Sequence, residues 1–234
     1  MLPGAVLVRV AASHLRVGTF QYAASLPDPT VLPRLADYAI ARHHPAAAEA
    51  PNPYLEFFDQ VVGAQAALVA QWMLAGFIHG VMNTDNMTVS GESIDFGPCA
   101  FMDRFDPATV YSSIDHGGRY AYGNQPPIAQ WNLARLAETL LPLLAENQEA
   151  AIEAAMEVLR AFPQRYRDAW SSGMRAKLGL TEERPDDQGL FDELLGSMHE
   201  QRLDYTSHLR SLSSVVRDRR SAAPSLVHDP WVAR

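Results

Sequence analysis

Cysteine and lysine are almost missing from this chain. Its 234 residues hold one cysteine, Cys99, and one lysine, Lys177. A lone cysteine excludes an intrachain disulfide, which is the habit of intracellular chains. The first residues, Met1-Leu2-Pro3-Gly4, have no basic stretch ahead of an apolar one and do not read as a signal peptide, so the expected compartment is the cytoplasm. Positive charge is scarce: 19 Lys and Arg stand against 27 Asp and Glu, giving a net charge of −8 and a pI near 5.4. That balance argues against a nucleic-acid partner, whose footprint is a basic face. Long apolar runs are missing too. The longest, near Gln71 to Ile78, is broken by Gln and Gly and falls short of the roughly 18 residues of a membrane span. There is no internal repeat, no G-x-G-x-x-G and no V-A-I-K-like strand.

What is present is ordinary for a globular domain, with 47% hydrophobic and 20% charged residues. The length suffices for one domain with a sizeable core. Ala5 to Val10 reads as a short buried strand, and Val17 to Tyr22 as a second extended piece. Leu32 to Ala41 has helical spacing and stops before His43-His44-Pro45. Residues 45–53 read as a loop. A long helix is expected from Tyr54 to Ile78, apolar over more than half its circumference and therefore central to the core, with His79-Gly80 ending it. Met87 to Val89 and Ser93 to Asp95 suggest a hairpin turning at Gly91-Glu92. Residues 98–125, rich in Gly, Pro, Asp and aromatics, read as a long ordered loop of the kind that carries function. Five helices should follow: Ile128–Leu144, Gln148–Phe162, Gln164–Leu178, Leu190–Met198 and Tyr205–Leu212. The expected fold class is α+β, mainly α-helical. The expected organisation is one unit over residues 1–216 and an irregular tail over 217–234.

The chemistry concentrates in His79-Gly80-Val81-Met82-Asn83-Thr84-Asp85-Asn86, followed by Asp95-Phe96-Gly97. Protein kinases place an H-R-D-x-x-x-x-N loop before D-F-G. The His-to-Asn spacing is kept, but Val81 stands where the catalytic Asp belongs, and an acid returns only at Asp85. Asn86 and Asp95 offer hard oxygen donors suited to a magnesium ion held against phosphates. Manganese accepts the same donors. Asp85, the only acid within the loop, is the candidate general base toward an incoming hydroxyl. His79 reads as a structural histidine. Arg9 and Arg16 suit bidentate phosphate contact, or else pair with surface acids. Trp131 reads as a core anchor and Cys99 as a small buried hydrophobe. Asp115, His116 and Arg119 lie where kinases keep a substrate segment, although a loop salt bridge explains them equally well. His43-His44 lacks a partner at metal-ligand spacing.

Three stretches carry a resemblance: PGAVLVRVAASHLRVGTFQY, GFIHGVMNTDNMTVSGESIDFGPCAFMD and SSIDHGGRYAYGNQPPIAQWNLARLAETLLPLL. Over residues 3–212 the chain resembles the selenoprotein O family of pseudokinase-like protein adenylyltransferases. The resemblance implies a protein-kinase-like fold, of which this chain would be the C-lobe with a short strand segment at its N-terminus and a small catalytic-loop hairpin. It implies ATP bound in a flipped pose and transfer of AMP to protein Ser, Thr or Tyr hydroxyls; some bacterial members are reported to transfer UMP with Mn²⁺. By motif, it implies Asp85 as base, Asn86 and Asp95 as metal ligands, and Arg9 and Arg16 as holders of the terminal phosphates. The family's N-lobe, with its Gly-rich loop, Lys and Glu partner, and its C-terminal redox segment find no match in this sequence. The chain is therefore expected to be a fragment, a truncated product or a degenerate homologue. Two rivals stand beside this reading. An ordinary kinase is opposed by Val81, and an inert binding or scaffold domain predicts that Asp85 and Asp95 matter only for stability.

Overall fold

The computed structural model describes Gly4, Val6 and residues 8–217. It is mainly helical, with one small antiparallel sheet, so the α+β class holds. The elements are α1 (Val17–Ser25), α2 (Val31–His43), α3 (Pro53–Ala75), β1 (Phe77–Ile78), β2 (Ala100–Phe101), α4 (Gln125–Leu144), α5 (Gln148–Leu178), α6 (Asp187–Glu200) and α7 (Tyr205–Arg217). Short 3₁₀ turns occupy Pro45–Glu49, Thr84–Asn86 and Tyr122–Asn124.

Helix α3 is the axle of the core. Asn52 caps its start, accepting from the Leu55 N–H at 3.2 Å, and Pro53 fills the first helical position, where no N–H is needed. Phe57, Phe58, Val62, Ala66 and Val69 are completely buried, each large side chain contributing about 2–3 kcal/mol by leaving water. Its principal partner is α5, and the two helices approach closely. A Cβ on Gly173 of α5 would lie 2.1 Å from Leu74 Cδ1, so any side chain there would displace Leu74. The C-terminal carbonyls of α3 are closed by two phenols, since Tyr122 and Tyr205 both donate to Met73 O. Burial pushes the Tyr205 hydroxyl up to about 12, so both phenols remain protonated donors at neutral pH.

Several expectations need correction. The described residues of the supposed first strand, Val6, Val8, Arg9 and Val10, are in no strand, and the three valines are 95%, 78% and 93% exposed. Val17 to Tyr22 is helix, not extended chain, because the Arg16 N–H is taken by Thr19 Oγ1 at 3.2 Å and Val17, Phe20 and Ala23 form a helical apolar stripe. Helix α3 stops at Gly76, whose φ of 68° breaks it, and Phe77–Ile78 leave as a strand paired with Ala100–Phe101. The hairpin is reduced to a single bridge, Met87 to Ser93. The long loop holds β2 and a 3₁₀ turn, and α4 starts earlier, at Gln125.

The two helices expected on either side of Pro163 are one helix of 31 residues. Proline removes the donor for the Leu159 carbonyl, and Gln130 Nε2 of α4 supplies one instead at 3.3 Å. Trp131 is not a core anchor. It is 40% exposed and lies between the guanidinium groups of Arg119 and Arg135, at 4.7 and 5.2 Å from its ring centroid. Cys99 is only partly buried, its thiol directed to Phe96 O at 3.4 Å. Of the expected tail, Arg217 ends α7 and residues 218–234 lie outside the described residues. Among the described residues, no helix is long and apolar enough to cross a membrane.

Candidate functional site

The segment from Phe77 to Asp95 makes few backbone bonds of its own and is held instead by buried polar side chains from the surrounding helices. Gln125 of α4 donates to Phe77 O and accepts from the His79 N–H, both at 2.9 Å. Asn132, two turns on, donates to Met82 O at 2.8 Å. Gln65 of α3 donates to Thr88 O at 2.5 Å, and His44 at the end of α2 bonds Val89 O at 2.9 Å. Buried amides and imidazoles are costly unless paired, so each of these contacts fixes one point of the loop.

His79 is the centre of this arrangement, with 0% exposure. Its Nδ1 accepts from the Val81 N–H at 3.4 Å, which leaves the proton on Nε2 to be donated to Ile94 O at 2.7 Å. Burial lowers its pKa from the ordinary imidazole value, partly opposed by the Ile94 carbonyl and the Asp95 carboxylate, and so favours this neutral form. The structural role expected of His79 is what the geometry gives. Asn86 is buried and donates through Nδ2 to Val81 O at 2.9 Å, which leaves its amide oxygen as the atom on offer. A continuous line therefore runs from Asn86 through Val81 and His79 to Ile94, the neighbour of Asp95. Asp95 is exposed and sits at φ 53°, in the left-handed region that aspartate tolerates better than most residues.

The N-terminal segment closes one side. Val17 N–H donates to Met87 O and Val89 N–H to Leu15 O, both at 2.9 Å, so residues 15–17 pair with 87–89. Arg16 donates from Nη1 to Asp85 O at 3.3 Å. Asp85 is exposed at the surface. Arg9 lies elsewhere, its guanidinium 4.1 Å from the Phe96 ring centroid, a cation–π contact of about 0.5–1 kcal/mol. With Ala11, His14, Ile94, Asp95 and Phe96 it lines an open cleft of about 640 Å³. The segment between the two arginines is anchored by Arg42, which donates to Ala12 O; by His43, whose Nε2 meets Ser13 Oγ at 2.6 Å; and by Glu92, which accepts from the Ala12 N–H at 3.0 Å.

The structure thus bonds Arg16 to the backbone of Asp85, sets Arg9 and Asp95 on one cleft, and ties Asn86 to the neighbour of Asp95 through His79 rather than by direct contact. Among the described residues, no three His, Cys, Asp or Glu side chains cluster as a metal site. Asp115 is spent on its own loop, accepting the N–H groups of Arg119 and Tyr120 at 2.8 Å each. Lys177 lies in the helical body over the Tyr205 ring, at 5.8 Å from the centroid. Reading the sequence alone missed Gln65, His44 and Gln125 as anchors of the loop, whereas the segment around Asn132 reads as architectural. The signal was available for α4: Gln125 and Asn132 fall on the same stripe as Ala129, Leu133 and Leu136, and polar residues on an apolar face need partners.

Comparison with known proteins bears on this arrangement. The family model described as protein adenylyltransferase SelO matches residues 1–230. A protein nucleotidyltransferase YdiU of Mycolicibacterium smegmatis is 61% identical over 239 residues, covering 99% of this chain and 49% of the relative. The protein nucleotidyltransferase YdiU of Pseudarthrobacter chlorophenolicus is 56% identical over 245 residues, covering 100% and 50%. That of Anoxybacillus flavithermus is 61% identical over 212 residues, covering 91% and 44%. The chain belongs to the SelO protein adenylyltransferase family, and it spans about half the length of the curated relatives it matches.

Proposed function

We propose that this chain carries the catalytic loop of a protein nucleotidyltransferase, and that it moves AMP from ATP to Ser, Thr or Tyr hydroxyls of other proteins. The unit over residues 1–216 is then the C-lobe of a kinase-like fold with its entry segment. The observation that carries the reading is the junction of Arg16 with the loop: a guanidinium bonded to the backbone of Asp85 at 3.3 Å joins a phosphate-binding group to the only acid of the loop. Family membership supports the same chemistry. Ordinary kinase chemistry is disfavoured because Val81, at the place of the kinase base, has no proton acceptor in its side chain.

In this reading the acceptor hydroxyl gives its proton to Asp85 as its oxygen bonds to the α-phosphorus. The bond from that phosphorus to the pyrophosphate oxygen breaks, and pyrophosphate leaves with the electron pair. Arg9 and Arg16 hold the departing phosphates, where preorganised positive charge is worth most. Asn86 Oδ1 and the Asp95 carboxylate are the oxygens that would hold a divalent ion of the magnesium or manganese kind. When bound, the ion neutralises charge on the phosphates.

Calorimetric titration with ATP and Mg²⁺, repeated with Asp95→Ala, tests the site. Saturable binding lost in the variant supports it. A folded wild-type chain that binds no nucleotide refutes it. Substituting UTP and Mn²⁺ in the same titration ranks the nucleotide and metal alternatives.

A further inference from the structure

Gly18 lies in the first turn of α1 with an ordinary helical backbone, so its lack of a side chain is not explained by conformation. It is explained by Asp85. A Cβ at Gly18 would lie 2.0 Å from Asp85 Oδ1, so the carboxylate would have to turn away, and at a tight 3.0 Å from Asp85 Cγ. The carboxylate therefore rests directly on the N-terminal turn of α1. That turn is itself fixed to the loop by the bonds from Val17 N–H to Met87 O at 2.9 Å and from Arg16 Nη1 to Asp85 O at 3.3 Å.

We infer that Gly18 is a positioning residue for the base: the bare backbone of the α1 N-terminus is the seat that sets where the Asp85 carboxylate stands. The contact also couples the position of Asp85 to Arg16, since both are carried by one helix start. This inference rests on Asp85 acting as base in the proposed transferase. A methyl group at residue 18 pushes the carboxylate outward while leaving Arg9, Asn86 and Asp95 in place. Misplacement of a reacting group by about 1 Å is enough to cost on the order of a hundredfold in rate.

The test is a cycle of four proteins: wild type, Gly18→Ala, Asp85→Ala and the double variant, each followed by thermal melting and by transfer of label from α-labelled ATP. Alanine is the better helix former, so it destabilises residue 18 only if the carboxylate is in its way. The expected result is a lowered Tm for Gly18→Ala beside Asp85, and an unchanged or raised Tm for Gly18→Ala in the Asp85→Ala background. The rate is expected to fall about a hundredfold through kcat, with apparent ATP affinity within about twofold of wild type. The same Tm change in both backgrounds, or an unaltered kcat, would overturn the inference. A wild-type chain that transfers nothing fails the transferase reading instead, and the melting cycle separates the two failures because it needs no turnover.

Discussion

The seam between α3 and α5 and the loop from Phe77 to Asp95 are held together by opposite means. The seam is closely packed, with Gly173 against Leu74 and a half-exposed Arg165–Asp59 pair at 2.6 Å, and it belongs to a core that buries Phe57, Phe58 and Phe162. The loop has almost no regular structure, and its carbonyls are claimed one at a time by Gln65, His44, His79, Asn86, Gln125 and Asn132. The seam stabilises the chain by removing carbon from water, which is non-directional. The loop gains little net energy from each bond, about 0.5–1.5 kcal/mol, but every unmade bond would be expensive, so its conformation is tightly specified. One region makes the molecule stable and the other gives it a shape in which Asp85 and Asp95 stand exposed on a buried polar frame.

If that contrast is right, substitutions in the two regions separate stability from activity. The largest expected effect is Asp85→Asn, which removes the proposed general base and lowers transfer of label from α-labelled ATP by about 10²–10⁴-fold. Because Asp85 is exposed, its melting temperature should hardly move. Next is Phe58→Ala in the α3 core, a fully buried side chain whose truncation costs about 3–5 kcal/mol in denaturant unfolding. ATP affinity measured on the folded fraction should be preserved. A loss of affinity without a loss of stability would reverse the contrast.

Asn132→Ala lies between the two. It removes the donor to Met82 O and leaves that carbonyl without its partner, costing about 1–3 kcal/mol. It should weaken nucleotide binding as well, since the loop backbone is then free at one anchor. The smallest effect is on pH dependence. The unfolded chain protonates His79 near its ordinary value of about 6.5, whereas burial in the fold delays protonation to lower pH. Stability from the neutral imidazole is therefore complete above that ordinary value and is lost as pH falls through the lower folded value. Denaturant midpoints measured downward from neutral pH should decline, and His79→Gln should flatten the decline. His43, also lowered chiefly by burial, contributes in the same direction and stays in the variant, so a residual slope is expected.

Much of the core was legible in the sequence. Helix α3 declares itself by its apolar periodicity, and α4, α6 and α7 by theirs. What misled were local signals that a distant group overrode. Pro163 argued for a break, but Gln130, far away in sequence, supplies the missing donor. V-G-T-F-Q-Y has the β-branched and aromatic character of a strand, yet Thr19 closes the first turn, and Gly18, a poor helix residue, lies against the Asp85 carboxylate. Trp131 suggested the core, but two arginines cover its ring. The spacing of the motif marked Asn86 and Asp95, and Asp85 stood out as the only acid within the loop. The frame beneath them was not, because it is built from single Gln, Asn and His side chains whose partners are backbone carbonyls, and backbone carbonyls leave no mark in a sequence.

The most direct test of the central claim uses ATP labelled in turn at the α- and γ-phosphate, incubated with the chain, a divalent metal and a protein acceptor, beside Asp85→Asn and Asp95→Ala controls. The account predicts that only the α-label becomes protein-bound and that both substitutions abolish it. Incorporation of the γ-label would make the chain a kinase. Binding of ATP with no incorporation of either label would make it a nucleotide-binding domain without transfer activity, and would contradict the role of Asp85 as general base.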